Sequence, residues 1–164
     1  MYQKILVPLD GSKLAEIVLP HVEKIAAESD SNVILTTVTE RITAQSYNVK
    51  IGLNSGSVPN LVPVVKMPAA IGKMQRQGQR YLDRIAKRLT KKGLRVETSV
   101  LLGRPADEIR SFAEEQGVDL IIMSSHGRSG RSKWALGSIS DKMLRASEVP
   151  MLLVKPTDED IKNQ

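Results

Sequence analysis

No cysteine occurs among the 164 residues, which excludes disulfides, thiolate catalysis and zinc–thiolate sites and agrees with a reducing cytoplasm. Aromatic residues make up only 3% of the chain, so the core has to be built from Val, Ile, Leu, Ala and Met. The same scarcity argues against a base-stacking nucleic-acid platform, which needs Phe, Tyr or Trp on its binding face. Histidine is nearly absent as well. His126 has no carboxylate or second histidine nearby in sequence, and His21 falls inside the first helical stretch. Neither a metal–histidine site nor Ser–His catalysis is expected from that pattern. Long hydrophobic runs are also missing: stretches such as "VPMLLV" are far too short to span a bilayer, and nothing resembles a signal peptide. The expectation is a soluble, cytoplasmic chain with no membrane partner.

What is present is ordinary for a globular domain: 41% apolar and 26% charged residues, with a net charge of +6 that favours acidic partners, phosphates among them. The length suits one domain. We read residues 1–157 as that domain, with a polar tail over 158–164.

Along the chain, "QKILVPL" (3–9) is a short apolar run that ends in the turn "DGS". From Ser12, a suitable cap, Leu14, Ile17, Val18, Val22 and Ile25 keep helical spacing, and Pro20 should bend that helix. "SNVILTTVT" (31–39) is rich in β-branched residues and reads as a second strand. Residues 41 to about 70 hold several Pro, Gly, Ser and Asn and read as a long, mobile excursion rather than a separate domain. A second helix is predicted from Ile71 to Lys92, ended by Gly93, and "LRVETSVLLG" (94–103) alternates as a third strand. "RPADEIRSFAEEQG" follows as a helix with Pro105 in its first turn and Gly117 past its end. "VDLIIMS" is a continuous apolar strand of the doubly buried kind. A glycine- and serine-rich loop, a helix to about Ala146, and "VPMLLVKP" as a fifth strand complete the chain.

Alternation of this kind implies a doubly wound, five-stranded parallel sheet with helices on both faces, a Rossmann-like α/β fold. Ligands in such folds sit beyond the carboxyl ends of the strands, at the point where strand order reverses. "PLDGS", "TVTE" and "MSSHGRSG" occupy those strand ends. In "SSHGRSGRSKWALGSIS" (124–140), Gly127, Gly130 and Gly137 permit close backbone approach to a ligand. Successive N–H groups and the next helix's N-terminus would then form an anion nest. Ser129, Ser132, Ser138 and Ser140 add hydroxyl donors, and Arg128, Arg131 and Lys133 add positive charge. There is no Walker A spacing. A plain basic βα connection accounts for the same residues equally well.

Taken as an ordered set, "ILVPLDGS", "MSSHG", nine intervening residues, "GS" and a terminal "VPMLLVKP" resemble the universal stress protein family. ATP-binding members of that family carry G-x2-G-x9-G-[ST] after the fourth strand. Gly127 and Gly137–Ser138 match the pattern, whereas Ser124 stands where the first glycine would be. The resemblance implies an ATP-binding regulatory module of the adenine-nucleotide α-hydrolase-like type, with Mg²⁺ or Mn²⁺ accompanying the nucleotide. It implies that Pro8, Leu9 and Asp10 approach the adenosine, with Asp10 near the ribose and able to hold the metal through water. It also implies that Val38 contacts adenine and Met123 flanks the base. Gly127, Arg128, Gly130, Gly137, Ser138 and Ile139 would line the phosphate path, and Ser124, His126 and Ser140 complete the expected nucleotide site. Each has a plainer reading: Asp10 as a turn residue, Val38 and Met123 as core. Trp134 is expected to pack the fourth helix onto its neighbours.

Three rival readings remain. A receiver domain shares the alternation and the Lys155–Pro156 pair, but it needs an acidic pair after strand one and a phosphoacceptor Asp after strand three. This chain offers only Asp10 at the first place and no acid in "LLGRP" at the second. An ATPase or phosphotransferase would need catalytic machinery beyond Asp10, so slow hydrolysis is the most that is expected. A basic interaction module would use "KMQRQGQRYLDRIAKRLTKK" (73–92), which reads instead as a solvated amphipathic helix, so nucleic acid is not an expected partner. The resemblance implies that the last strand lies at a sheet edge, and an exposed apolar edge invites pairing unless the charged tail 157–164 caps it. A homodimer joined through residues 149–155 is therefore expected.

Overall fold

The computed structural model describes residues 1–40, 66–126 and 136–162. Among them, β1 (Lys4–Pro8), α1 (Lys13–Glu16), α2 (Leu19–Ser29) and β2 (Asn32–Thr39) come first. α3 (Lys66–Thr90), β3 (Arg95–Leu102), α4 (Pro105–Glu115) and β4 (Leu120–Ser124) follow, and α5 (Ser138–Ala146), β5 (Met151–Val154) and α6 (Asp158–Lys162) close the chain. The strands form one parallel sheet in the order β3-β2-β1-β4-β5, the expected doubly wound Rossmann-like class.

β1 sits at the centre because it is apolar on both faces. Ile5 and Val7 point into a layer with α1, α2 and α3, and Leu6 points into the opposite layer with α4 and α5. Val33, Leu35, Leu120 and Ile122 extend the first cluster, while Ile34, Ile121 and Met123 extend the second. Such continuous hydrophobic strands belong to sheets covered on both sides. Leu82, Ile85 and Leu89 of α3 are fully buried on the first face. Gly78 lets that helix approach closely, since a Cβ there would stand 3.0 Å from Thr37 Cγ2.

Three boundaries differ from the sequence expectation. The first helix is divided rather than bent: Ser12 caps α1 by accepting from the Ala15 N–H at 3.1 Å, and Pro20 lies in the first turn of α2, where its missing N–H costs nothing. α3 starts at Lys66, five residues before the expected Ile71, so residues 66–70 belong to a helix and not to the excursion. Pro68 reads as a helix breaker in sequence but falls in the first turn, where proline is tolerated. The rest of the excursion, 41–65, lies outside the described residues. Finally, part of the terminal segment forms α6, which lies against α1.

Candidate functional site

Strand order reverses between β1 and β4, so the crevice beyond their carboxyl ends is bounded by the turn after Pro8 and the segment after Ser124. On the β1 side, the Leu9 N–H continues the ladder to the Thr36 carbonyl at 2.8 Å, and the Leu9 side chain is buried in the core. Leu9 can therefore present only backbone to the crevice. The chain then turns through Gly11 at φ +86°, a conformation that suits glycine. Asp10 Oδ1 accepts from the Ser12 N–H at 2.9 Å and from the Ser12 hydroxyl at 2.6 Å. The turn role that the sequence allowed for Asp10 is thus present, and it fixes the carboxylate at the crevice floor.

On the β4 side, Met123 and Ser124 are buried, and Ser124 is the last residue of its strand. It takes no positive φ, so the backbone does not demand glycine at this position. Ser124 Oγ accepts from the His126 N–H at 3.3 Å. Ser125 proves to be the organising residue, and nothing in the spacing had singled it out. Its N–H donates to the Val154 carbonyl at 2.9 Å, tying the loop to β5, and its hydroxyl is 2.9 Å from His126 Nδ1. Its carbonyl accepts from the Gly137 N–H at 2.8 Å and from the Ser140 hydroxyl at 2.8 Å.

Two expected phosphate ligands are therefore placed differently. The Gly137 N–H and the Ser140 hydroxyl face inward and close the base of the loop, because Ser140 is buried and its one hydroxyl proton is shared between the Ser125 carbonyl and the Gly137 carbonyl, the latter at 2.9 Å. Ser138 is exposed at the start of α5, whose first-turn N–H groups have no intrahelical acceptor, and Ile139 packs against the second core cluster. Val38 is half-buried and packs against that same cluster, as does Met123. Pro8 is half-buried at the strand end. Gly127, Arg128 and Gly130, together with Ser129, Arg131, Ser132, Lys133 and Trp134, lie outside the described residues.

Tyr81 approaches from α3. Its hydroxyl oxygen is buried and makes no hydrogen bond of acceptable geometry, although the Glu16 carboxylate is close enough to act on it. Burial first, then Glu16 and Asp10, push the phenol well above its ordinary pKa. Arg84 lies over the Tyr81 ring at 5.5 Å and pairs with Glu16 at 3.5 Å. Tyr81 directly precedes the buried Leu82 on α3, and the burial of its hydroxyl follows from packing that sequence spacing does not encode. Among the described residues, no group of three or more His, Cys, Asp or Glu side chains is placed to hold a metal ion. Asp10 is a carboxylate just beyond the carboxyl end of β1, engaged by Ser12. A separate open groove of about 510 Å³ between α1, α2 and the end of α3 contains none of the expected site residues. No helix among the described residues is long and apolar enough to cross a membrane.

A doubly wound sheet, a capped turn after β1 and a serine-braced loop between β4 and α5 define an α/β protein with its crevice at the switch point. The family model for the universal stress protein family matches residues 1–155, and the chain belongs to that family. It is 33% identical over 161 residues to Universal stress protein MJ0577 of Methanocaldococcus jannaschii, covering 94% of this chain and 96% of that one. It is 29% identical to Universal stress protein YxiE of Bacillus subtilis, covering 94% of this chain and all of that protein. The solved MJ0577 structure superposes with a TM-score of 0.78 over 96% of this chain and 99% of that chain, at 30% identity. A universal stress protein solved in complex with cAMP shares the fold with a TM-score of 0.58 at 22% identity, covering 95% of this chain and 98% of that chain.

Proposed function

We propose that this protein binds an adenine nucleotide, ATP accompanied by Mg²⁺ or Mn²⁺, in the crevice beyond β1 and β4 and acts as a nucleotide-dependent regulatory module. One observation carries the reading: the strand-order reversal sets the Asp10 turn beside the Ser124–His126 segment, at the point where doubly wound folds bind ligands. The cAMP-bound relative supports it, because an adenine nucleotide occupies a protein of this fold. In this reading Asp10 holds the ribose and, through water, the metal. The adenine lies between Val38 and Met123. Gly127, Arg128, Gly130, Ser138 and the first turn of α5 receive the phosphates, and the Ser125–Gly137–Ser140 closure holds that turn in position.

Calorimetry with ATP and AMP, each with and without divalent metal, tests the proposal. ATP should bind more tightly than AMP, and metal should improve ATP alone. An absence of binding by any adenine nucleotide at millimolar concentration would end it.

The same reading includes a homodimer joined through residues 149–155 in a cytoplasmic setting, the latter supported by the cysteine-free composition. β5 is an edge strand whose four residues are all only partly buried. Leu152 and Val154 pack against one core cluster and Met151 and Leu153 against the other, so its open side is the backbone edge. Pairing with a second copy would satisfy that edge. Light scattering should report twice the chain mass of 18.0 kDa, and a monomer at tens of micromolar would refute the dimer.

A further inference from the structure

The chain's positive charge is concentrated on one helix. Residues 73–92 hold eight Lys or Arg against the single acid Asp83, a net of +7, so the remainder of this +6 chain nets −1. Lys73, Arg76, Arg80, Arg84, Lys87 and Lys91 are spaced three or four apart. At 100° per residue they fall within an arc of about 80°. The helical bonding reaches Lys91, whose N–H donates to the Lys87 carbonyl at 3.2 Å. All six are exposed, opposite the buried Leu82, Ile85 and Leu89.

Within this stripe only Arg84 has an ion-pair partner among the described residues, Glu16 at 3.5 Å, and its side chain remains 70% exposed. Every one of the 18 Asp and Glu residues lies in the described part of the chain, so the undescribed segments hold no acidic side chain that could neutralise the others. Unneutralised like charges at one-turn spacing repel one another and disfavour the helix that carries them. A polyanion would relieve that repulsion.

The stripe's chemistry selects among polyanions. Its exposed surface has no large apolar side chain, since the exposed large hydrophobics among the described residues are Met1, Tyr2, Leu136 and Leu144. A bilayer-seeking face would offer such residues for insertion, and a protein interface would offer a buried anchor. No ring is presented on which an unpaired base could stack. Three of the six are arginines, whose planar fork matches phosphate oxygens. The stripe spans about 27 Å at 1.5 Å per residue. That length corresponds to roughly eight phosphates along one strand of a duplex.

We propose that the outer face of α3 docks on the phosphate backbone of a duplex nucleic acid without reading its sequence. The proposal does not depend on the nucleotide crevice.

The test is fluorescence anisotropy with two unrelated, labelled duplex DNAs of about 20 base pairs, starting near 50 mM salt and rising. Both sequences should bind equally, with log affinity falling against log salt with a slope of about −4 to −5. The triple variant Arg76→Gln, Arg80→Gln, Lys87→Gln should lose about 2 to 3 of that slope and bind at least about tenfold more weakly at equal salt. Its thermal melt should be no lower than that of the parent, because the three side chains are exposed and their removal relieves like-charge repulsion. Three outcomes would overturn the proposal. They are no binding to either duplex at low salt, undiminished binding by the triple variant, or equally tight, variant-sensitive binding to phosphatidylserine vesicles, which would assign the stripe to an anionic membrane.

Discussion

The Ser140 hydroxyl lies 2.8 Å from the main-chain carbonyl of Ser125, fifteen residues earlier, and the Gly137 N–H reaches the same oxygen at 2.8 Å. These two donors close the base of the β4–α5 loop before any ligand arrives. Ser140→Ala removes the one hydroxyl proton that the buried Ser125 carbonyl shares with the Gly137 carbonyl. It should destabilise the protein by about 1–2 kcal/mol, a drop in Tm of roughly 3–6 °C. An unchanged melting curve would mean that Gly137 alone holds the closure.

Gly137 is constrained for a second reason. A Cβ at this position would stand 3.1 Å from the Ser125 carbonyl oxygen and 3.4 Å from Ser140 Oγ. Gly137→Val should therefore lower thermal stability and nucleotide affinity together. The neighbouring Ser138→Ala, on an exposed side chain, should leave the melt unchanged. A Gly137→Val protein with parental stability and weakened ATP binding would argue for direct contact with phosphate instead.

Asp10 can be separated from its turn role by a conservative change. Asp10→Asn keeps an oxygen to accept from Ser12 but removes the charge that would attract a hydrated metal ion. Calorimetry should show the metal-dependent part of ATP affinity falling by about tenfold, roughly 1.4 kcal/mol, with AMP binding little altered. Equal losses for ATP and AMP would place Asp10 on the ribose alone.

Tyr81→Phe probes a buried hydroxyl that has no hydrogen-bond partner. At neutral pH the substitution should change stability by no more than about 1 kcal/mol, because the loss of the contact with Glu16 is offset by removal of the hydroxyl's desolvation cost. The pH dependence follows from the raised pKa. The folded protein keeps the phenol protonated where the unfolded chain, with its ordinary value of 10.0, has begun to release the proton. That contribution is fully present below about pH 10 and is lost as pH rises toward the higher folded value. Melting curves of parent and variant should keep a constant offset up to about pH 9, and the offset should then move against the parent.

The fold was legible because its signals were local and mutually consistent. The β-branched run at 31–39 and the apolar run into Met123 became β2 and β4. Ser12 capped its helix, and Gly93 and Gly117 took the positive φ values, +89° and +61°, that helix ends favour. The start of α3 differs because the Pro, Gly, Ser and Asn content of 41–70 reads as loop up to its end, whereas Pro68 falls in the first turn of a helix, where proline is tolerated. Only part of the site could be read in this way. Asp10 and the Ser124–His126 segment follow from strand ends and topology. The inward turn of Ser140, the bracing by Ser125 and the orphaned Tyr81 hydroxyl depend on contacts between distant elements, and residue type does not encode them. Charge spacing on α3 was visible in sequence, but whether acids neutralise it could be known only from the packed surface.

The central strand comes first in the chain, but one of its two edges is paired by a strand from far along the sequence. β1 pairs with β2 through registers such as Leu6↔Ile34, within the first forty residues, but its other edge waits for Ile5↔Leu120 and Leu6↔Ile121. Asp119 joins that late step by accepting from the Gln3 and Lys4 N–H groups at 2.8 and 3.1 Å. The two walls of the crevice come from opposite ends of the chain and meet only when this distant seam zips. Contacts of such separation are slow to form because the loop between them must be closed first. A nascent chain that has yet to extrude its fourth strand owns half a crevice and can retain no ligand there. Occupancy of the proposed crevice would thus certify that synthesis has passed the first turn of α5 and that both halves of the sheet have joined.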